Sequence, residues 1–298
     1  MQSAHSTYLK GAVFGLTAVS IWAGWSVITR LAVTTGLDAW DIAALRFGVA
    51  GLLLSPVVMR RGLALDRLGW LGLAAIIVGL GAPYALAAAG GLHFAPASDQ
   101  GALNPGCMPM FVALIAAIVL RERFSRARKL GLSLIMAGAL VIVGRHAWST
   151  AWSASRTLGD ALFLVAAFLS AGFTVVMLDP LHAAALVATG SLVIYLPIYL
   201  AFFGTRLARL PLADLAVQAL FQGVVVTIVS LLLYGRAVAI LGASRGSAFG
   251  ALVPALSALL AIPLLGEWPN ETDWLGIVLI SAGVYLASGG RWAHQNAE

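Results

Sequence analysis

The sequence predicts an all-α integral membrane protein, with ten transmembrane helices arranged as two inverted five-helix repeats. Three observations predict it: an apolar excess, ten apolar runs of spanning length, and a match of the chain to itself across its middle. Of the 298 residues, 61% are hydrophobic and 10% charged. Soluble domains carry about 25% charged residues. A water-soluble fold of this length has no interior large enough for so much apolar sequence, so lipid must serve as its solvent. The net charge of +6 arises from 18 Lys and Arg against 12 acids scattered over short connectors. That pattern orients a membrane protein; it is not a nucleic-acid patch. The single cysteine, Cys107, allows no intrachain disulfide. It lies in an apolar run and reads as a small buried hydrophobe.

A spanning helix needs about 20 mostly apolar residues. Ten such runs are expected, at 11–33, 40–59, 69–91, 97–120, 127–144, 158–178, 183–203, 212–240, 245–265 and 273–290. The first follows one basic residue, Lys10, lacks a small-residue cleavage pattern and is followed by more spans. It is expected to be a retained helix, not a signal peptide. Breakers such as Arg60-Arg61-Gly62 and Pro269-Asn270 punctuate the connectors. The longest connector, 145–157, is polar and Ser-rich and reads as a linker. It divides a first repeat, 1–144, from a second, 158–290, with a tail at 291–298.

A shift of 145 residues lays 101–144 on 246–289 without a gap, with 14 identities in 44 positions. Pro109 falls on Pro254, Glu122 on Glu267, Gly131 on Gly276, and Gly138 on Gly283. Apolar bias does not generate coincidences of Pro, Glu and Gly, so five helices are written twice. An odd number of spans per copy makes the second copy enter from the opposite side. The charges agree. The stretch VLRERFSRARKLG (119–131) carries five basic residues, while its counterpart LLGEWPNETDWLG (264–276) carries none and is acidic. Lys and Arg collect on the cytoplasmic side. With both termini cytoplasmic, ten basic residues lie inside and four outside among the clear connector positions. A bacterial inner membrane is the expected location.

Polar groups within spans face a bundle interior or a watery cavity. Trp22, Trp25, Ser26 and Thr29 are spaced i, i+3, i+4, i+7 and share one helix face. Gln100, Asn104, Met108 and Phe111 share a face of the fourth run, and Ser170, Phe173 and Thr174 lie in the sixth. Gln222, Thr227, Ser230 and Tyr234 lie in the eighth, and Tyr84 stands beside Pro83 in the third. Of these, the expected substrate-binding residues are Trp22, Trp25, Ser26, Tyr84, Asn104, Met108, Phe111, Ser170, Phe173, Thr174 and Tyr234. Aromatics, amides and hydroxyls without dense charge suit a small zwitterion or a neutral metabolite. Arg46, the deepest charge, reads equally as a structural cation paired with backbone or Asp41 and as a functional one. Glu122 and Glu267, at span ends, are expected to cap the following helices or bridge connectors. Pro83, Pro105, Pro109, Pro254 and Pro263 are expected to interrupt helices, as static kinks or as bending points.

Several stretches carry a family resemblance: SIWAGWSVITRLA in the first run, AALRFGVAGLLL in the second, and Pro-x12-Glu followed by Leu-Gly-x6-Gly in each repeat. In order and spacing the chain resembles the drug/metabolite transporter superfamily, EamA type, nearest to its bacterial amino-acid exporters. The stretch DQGALNPGCMPMF departs from the pattern, with two prolines where the second copy has one. The resemblance implies export of small metabolites, amino acids with aromatic or other apolar side chains among them, by alternating access between inverted repeats. Another small-metabolite or multidrug carrier of the same fold is the alternative. A membrane enzyme or a lipid flippase ranks lower. There is no HExxH, GxSxG or P-loop, and the five histidines are scattered over ends and connectors. No enzyme activity, cofactor or metal is therefore expected. The expected partners are a small-molecule substrate and the lipid bilayer, with no nucleic acid; a monomer is expected and oligomers stay open. Proton antiport and gradient-driven export both remain open.

Overall fold

The computed structural model describes residues 2–119, 124–148, 153–174, 179–203, 207, 211–242, 246 and 248–288. All regular structure among them is helical. The first half comprises α1 (Gln2–Thr35), α2 (Ala39–Arg61), α3 (Leu65–Leu80), α4 (Ala82–Phe94), α5 (Ala97–Leu103), α6 (Met108–Val119) and α7 (Arg126–Trp148). The second comprises α8 (Ala154–Thr174), α9 (Pro180–Phe202), α10 (Leu212–Ala219), a π-helical stretch Leu220–Val229, α11 (Ser230–Leu241), a 3-10 turn Phe249–Leu252, α12 (Val253–Leu265) and α13 (Glu271–Ala287). Among the described residues eight segments are long and apolar enough to cross a membrane, and Phe249–Leu265 is a shorter apolar helix. The last helix, α13, has 17 residues.

The interior is built from small side chains and the outside from large ones. Buried positions are dominated by alanine, whereas Leu71, Met59 and Phe202 are 89%, 85% and 77% exposed. In water this would be inside out. In lipid no hydrophobic force holds helices together, so close approach of small residues does the packing. The clearest case is the seam between α7 and α13. A Cβ on Gly138 would lie 2.7 Å from the carbonyl oxygen of Gly276, and one on Gly283 would lie 2.6 Å from that of Gly131. Backbone meets backbone there, and no larger residue fits.

The polar interior is made differently, by helices that stop and restart. The run expected to be continuous over 69–91 breaks at Gly81, between α3 and α4. A Cβ on Gly81 would come 2.0 Å from the carbonyl oxygen of Ile77, so the turn requires glycine. Within lipid every freed backbone group needs a partner. Here Ser191 of α9 supplies one, accepting from the Ala82 amide at 3.2 Å. The run expected over 97–120 likewise breaks between α5 and α6, at residues 104–107. Pro105 and Pro109 have no N–H to bond the carbonyls four residues upstream, so the helix ends and a new one begins. Most of the five prolines expected to kink or bend helices instead stand where a helix stops or starts. Pro83, Pro109 and Pro254 stand in the first turns of α4, α6 and α12, where the missing N–H costs little, whereas Pro263 lies within its helix, as Pro56 and Pro197 do in α2 and α9.

Two expected boundaries also move. The linker at 145–157 is helical at both ends, because α7 runs to Trp148 and α8 begins at Ala154. Ser153 starts α8: its carbonyl accepts from the Thr157 amide at 3.1 Å and its hydroxyl from the Arg156 amide at 3.5 Å. The eighth run is helical throughout, but its middle widens into the π-helical stretch, where Thr227 donates to the carbonyl of Gln222 at 2.8 Å.

Candidate substrate site

The predicted stripe of α1 is the hub of a polar cluster. Its four residues point one way because 3.6 residues make a turn, and each finds a partner on another element. Trp22 Nε1 donates to Ser230 Oγ on α11 at 3.0 Å. Trp25 Nε1 donates to Gln222 Oε1 in the π-helical stretch at 2.7 Å. Gln222 Nε2 donates back to Thr29 Oγ1 at 3.0 Å. Ser26 donates to Gln100 Oε1 of α5 and stands 3.5 Å from Ser257 Oγ of α12. Interhelical hydrogen bonds in membranes average about 0.6 kcal/mol each. Together they fix the orientation of the two indoles more than they hold the bundle together.

The helix breaks bring further groups to this cluster. Asn104, in the gap between α5 and α6, donates from Nδ2 to the Tyr84 hydroxyl of α4 at 3.3 Å. Tyr234 packs against Trp22 with ring centroids 5.0 Å apart. Arg46, eight residues into α2, places its guanidinium carbon 5.9 Å from the ring centre of Trp25 and 5.5 Å from that of Phe47. Arg46 is half-buried. Its Nε is buried without a hydrogen-bond partner. The pairing with Asp41 that the spacing allowed is not made. Asp41 instead accepts from the Tyr199 hydroxyl at 2.6 Å and from the Asp38 amide at 2.9 Å.

At one end of the bundle Glu267, Asp273 and Asp99 each engage a partner. Glu267 accepts from Arg30 Nε at 2.8 Å and from the Ala97 amide at 3.0 Å. Of the two expected roles it takes the bridging one, tying α1 to the start of α5, while Asn270 and Asp273 cap α13 reciprocally, at 2.9 and 3.1 Å. Asp99, 1% exposed, accepts from Arg156 Nη2 at 2.7 Å. A surface recess of about 350 Å³ is lined by Arg61, Ala64, Asp66, Arg67, Asp179 and His182, and the Arg61–Asp179 ion pair crosses it. None of the expected substrate-binding residues lines that recess.

The remaining expected residues are more scattered. Phe111 stands edge-on to Phe168, which is 51% exposed, so it sits toward the lipid perimeter. Met108 is half-buried at the start of α6. Ser170 is buried and donates to its own helix at Ala167 O, at 3.0 Å. Glu122 lies outside the described residues, as do the side chains of Phe173 and Thr174.

The chain matches the EamA-like transporter family over residues 9–144 and 157–289. It belongs to that family. The family is one of transporters, and the chain carries multiple helices long and apolar enough to span a membrane. A Brucella anthropi protein named riboflavin transporter is 31% identical over 201 residues, which is 59% of this chain and 66% of that protein, just under two thirds of its length. The permease-like protein YdzE of Bacillus subtilis is 37% identical over 67 residues, 22% of this chain and 86% of that protein. A solved crystal structure aligns with a TM-score of 0.61 over 97% of this chain and 99% of that one, at 21% identity. At that identity the likeness speaks for the fold alone.

The residues that sequence reasoning undervalued are Arg30 and Ser257, which join these networks from far along the chain, and Gln218, one helical turn from Gln222. Arg30 and Ser257 left a sequence signal, as a charge and a hydroxyl within apolar runs.

Proposed function

We propose that this transporter exports small metabolites across a bacterial inner membrane by alternating access between two inverted five-helix repeats, 1–144 and 158–290. Both termini are cytoplasmic in this scheme, and Phe249–Leu265 and Glu271–Ala287 complete ten spans. Seventeen residues is the short end of the spanning range, about 17–25. The observation that carries the scheme is the glycine seam. Under the 145-residue shift Gly131 corresponds to Gly276 and Gly138 to Gly283. Across the seam Gly131 meets Gly283, and Gly138 meets Gly276. Each residue touches the counterpart of its neighbour, as a two-fold axis between α7 and α13 requires. Two copies related by such an axis in the membrane plane have opposite orientations and can exchange conformations.

The substrate is taken to be an amino acid, including those with aromatic or apolar side chains, bound among Trp22, Trp25, Ser26, Tyr84, Asn104 and Tyr234. A second reading, favoured by the relative named riboflavin transporter, is a larger flat ring system stacked on the same indoles. Neither reading involves chemical conversion of the solute. The test is efflux from cells with and without the gene, preloaded with labelled amino acids or with riboflavin. Gene-dependent release of amino acids supports the first reading and release of riboflavin the second. Conversion of the solute without movement contradicts both.

A further inference from the structure

The geometry points to a carboxylate-binding subsite at Arg46; this deepens the proposed transport function and rests on it. A cation in the middle of a membrane protein is costly, by several kcal/mol even after relaxation. It persists where something offsets the cost. For two other partly buried arginines that is an acid: Arg30 has Glu267 and Arg156 has Asp99. Arg46 has none. Among the described residues it makes no hydrogen bond and no ion pair, and its contacts are the faces of Trp25 and Phe47. Cation–π contacts are worth about 0.5–2 kcal/mol and do not replace a counterion.

The surroundings are those of a site and not of a packing defect. Trp25 is held by its bond to Gln222, so the ring beside the guanidinium is fixed before any ligand arrives. Tyr84 of α4 is held by Asn104 from the break between α5 and α6. Part of the Arg46 surface remains open although the residue is deep. A planar guanidinium with free N–H donors matches a carboxylate in two parallel hydrogen bonds. One unpaired cation balances one negative charge, which favours a carboxylate over a phosphate dianion. Flanking aromatic faces favour an apolar or aromatic body on that carboxylate. The subsite thus separates acids, amino acids included, from neutral solutes such as a flavin, a distinction the sequence did not offer.

The experiment uses the full chain, purified into nanodiscs, and matched acid and amide probes: phenylalanine against phenylalaninamide, and indole-3-acetate against indole-3-acetamide. Phenyl phosphate and riboflavin complete the set. Binding is read by quenching of tryptophan fluorescence and by the ligand-induced rise in melting temperature. At least one acid is expected to bind about a hundredfold tighter than its amide, and Arg46→Gln is expected to abolish that preference. Arg46→Lys, which keeps the charge but not the fork, is expected to retain part of it. Silence of both acids, or an acid preference unchanged in Arg46→Gln and Arg46→Lys, overturns the subsite. So does tighter binding of phenyl phosphate than of either acid. Flux of riboflavin into proteoliposomes of the same protein, with the acids silent, overturns the subsite while leaving the transporter reading intact.

Discussion

The seam between α7 and α13 and the cluster around α1 lie in one bundle but are held by opposite means. In the seam, helices are uninterrupted and glycines let backbones touch, with carbonyl oxygens 2.6–3.0 Å from where a Cβ would stand. Around α1 the neighbours are broken or widened helices, and contacts run through side chains: indole to amide, hydroxyl to amide, amide to phenol. A backbone seam has no slack and cannot rearrange by small steps. A side-chain network over helix breaks exchanges partners at about 0.6 kcal/mol per bond. The difference teaches which part is frame and which part moves with the solute.

The comparison breaks first at the seam. Gly138→Leu or Gly283→Leu should abolish folded protein, since the added side chain meets backbone that cannot shift; overpacking of even a few methylenes costs about 1–3 kcal/mol. Gly24→Ala, where nothing lies within 4 Å of an added Cβ, should leave the yield unchanged. Size-exclusion profiles of solubilised protein decide between these outcomes. Normal yield from both seam variants would make the seam incidental.

In the polar cluster the expected effect shifts from yield to transport. Trp25→Phe removes the donor to Gln222 and keeps most of the ring, and Asn104→Ala releases Tyr84. Each should lower flux per folded protein about tenfold, equivalent to about 1.4 kcal/mol, with yields close to wild type. Wild-type flux in both, over a range of solutes, would assign the stripe of α1 to packing.

Smaller effects are expected at the charged end. Glu267→Gln keeps an acceptor for the Ala97 amide but loses the ion pair with Arg30, both partners being about one-fifth exposed. It should destabilise by about 1–3 kcal/mol, seen as a lower melting temperature and lower yield without a change in solute preference. A changed preference at normal yield would move Glu267 into the site. Thr29→Val, which removes one acceptor of Gln222, should cost least, about 0.6 kcal/mol.

Much of this division was legible in the sequence. The stripe of α1 was readable because helical period alone decides which residues share a face. The seam was readable because Gly131, Gly138, Gly276 and Gly283 recur at one offset. The prolines announced interruptions, but proline alone does not say whether a helix bends or restarts; Gly81 and Ser191 decide that in α3 and α4, 110 residues apart along the chain. The isolation of Arg46 was hidden for a similar reason. Asp41 stands at a plausible pairing distance in sequence, and only the three-dimensional position of Tyr199 draws it away. The partner of Glu267 was equally out of reach, since Arg30 lies 237 residues earlier. The π-helical stretch left little trace in the sequence. It depends on how Gln222 and Thr227 meet their neighbours and not on local propensity.

The central claim is that the solute passes through the cluster around α1 and not along the seam. It is tested most directly by thiol labelling in a Cys107→Ala background. Tyr84→Cys replaces a half-buried residue of the cluster, and Ala139→Cys a buried one of the seam. With a membrane-impermeant thiosulfonate applied to both sides of open membranes, Tyr84→Cys should label, and a transported solute should slow it. Ala139→Cys should stay unlabelled with or without solute. Labelling at Ala139→Cys that solute suppresses, with Tyr84→Cys inert, would contradict the account.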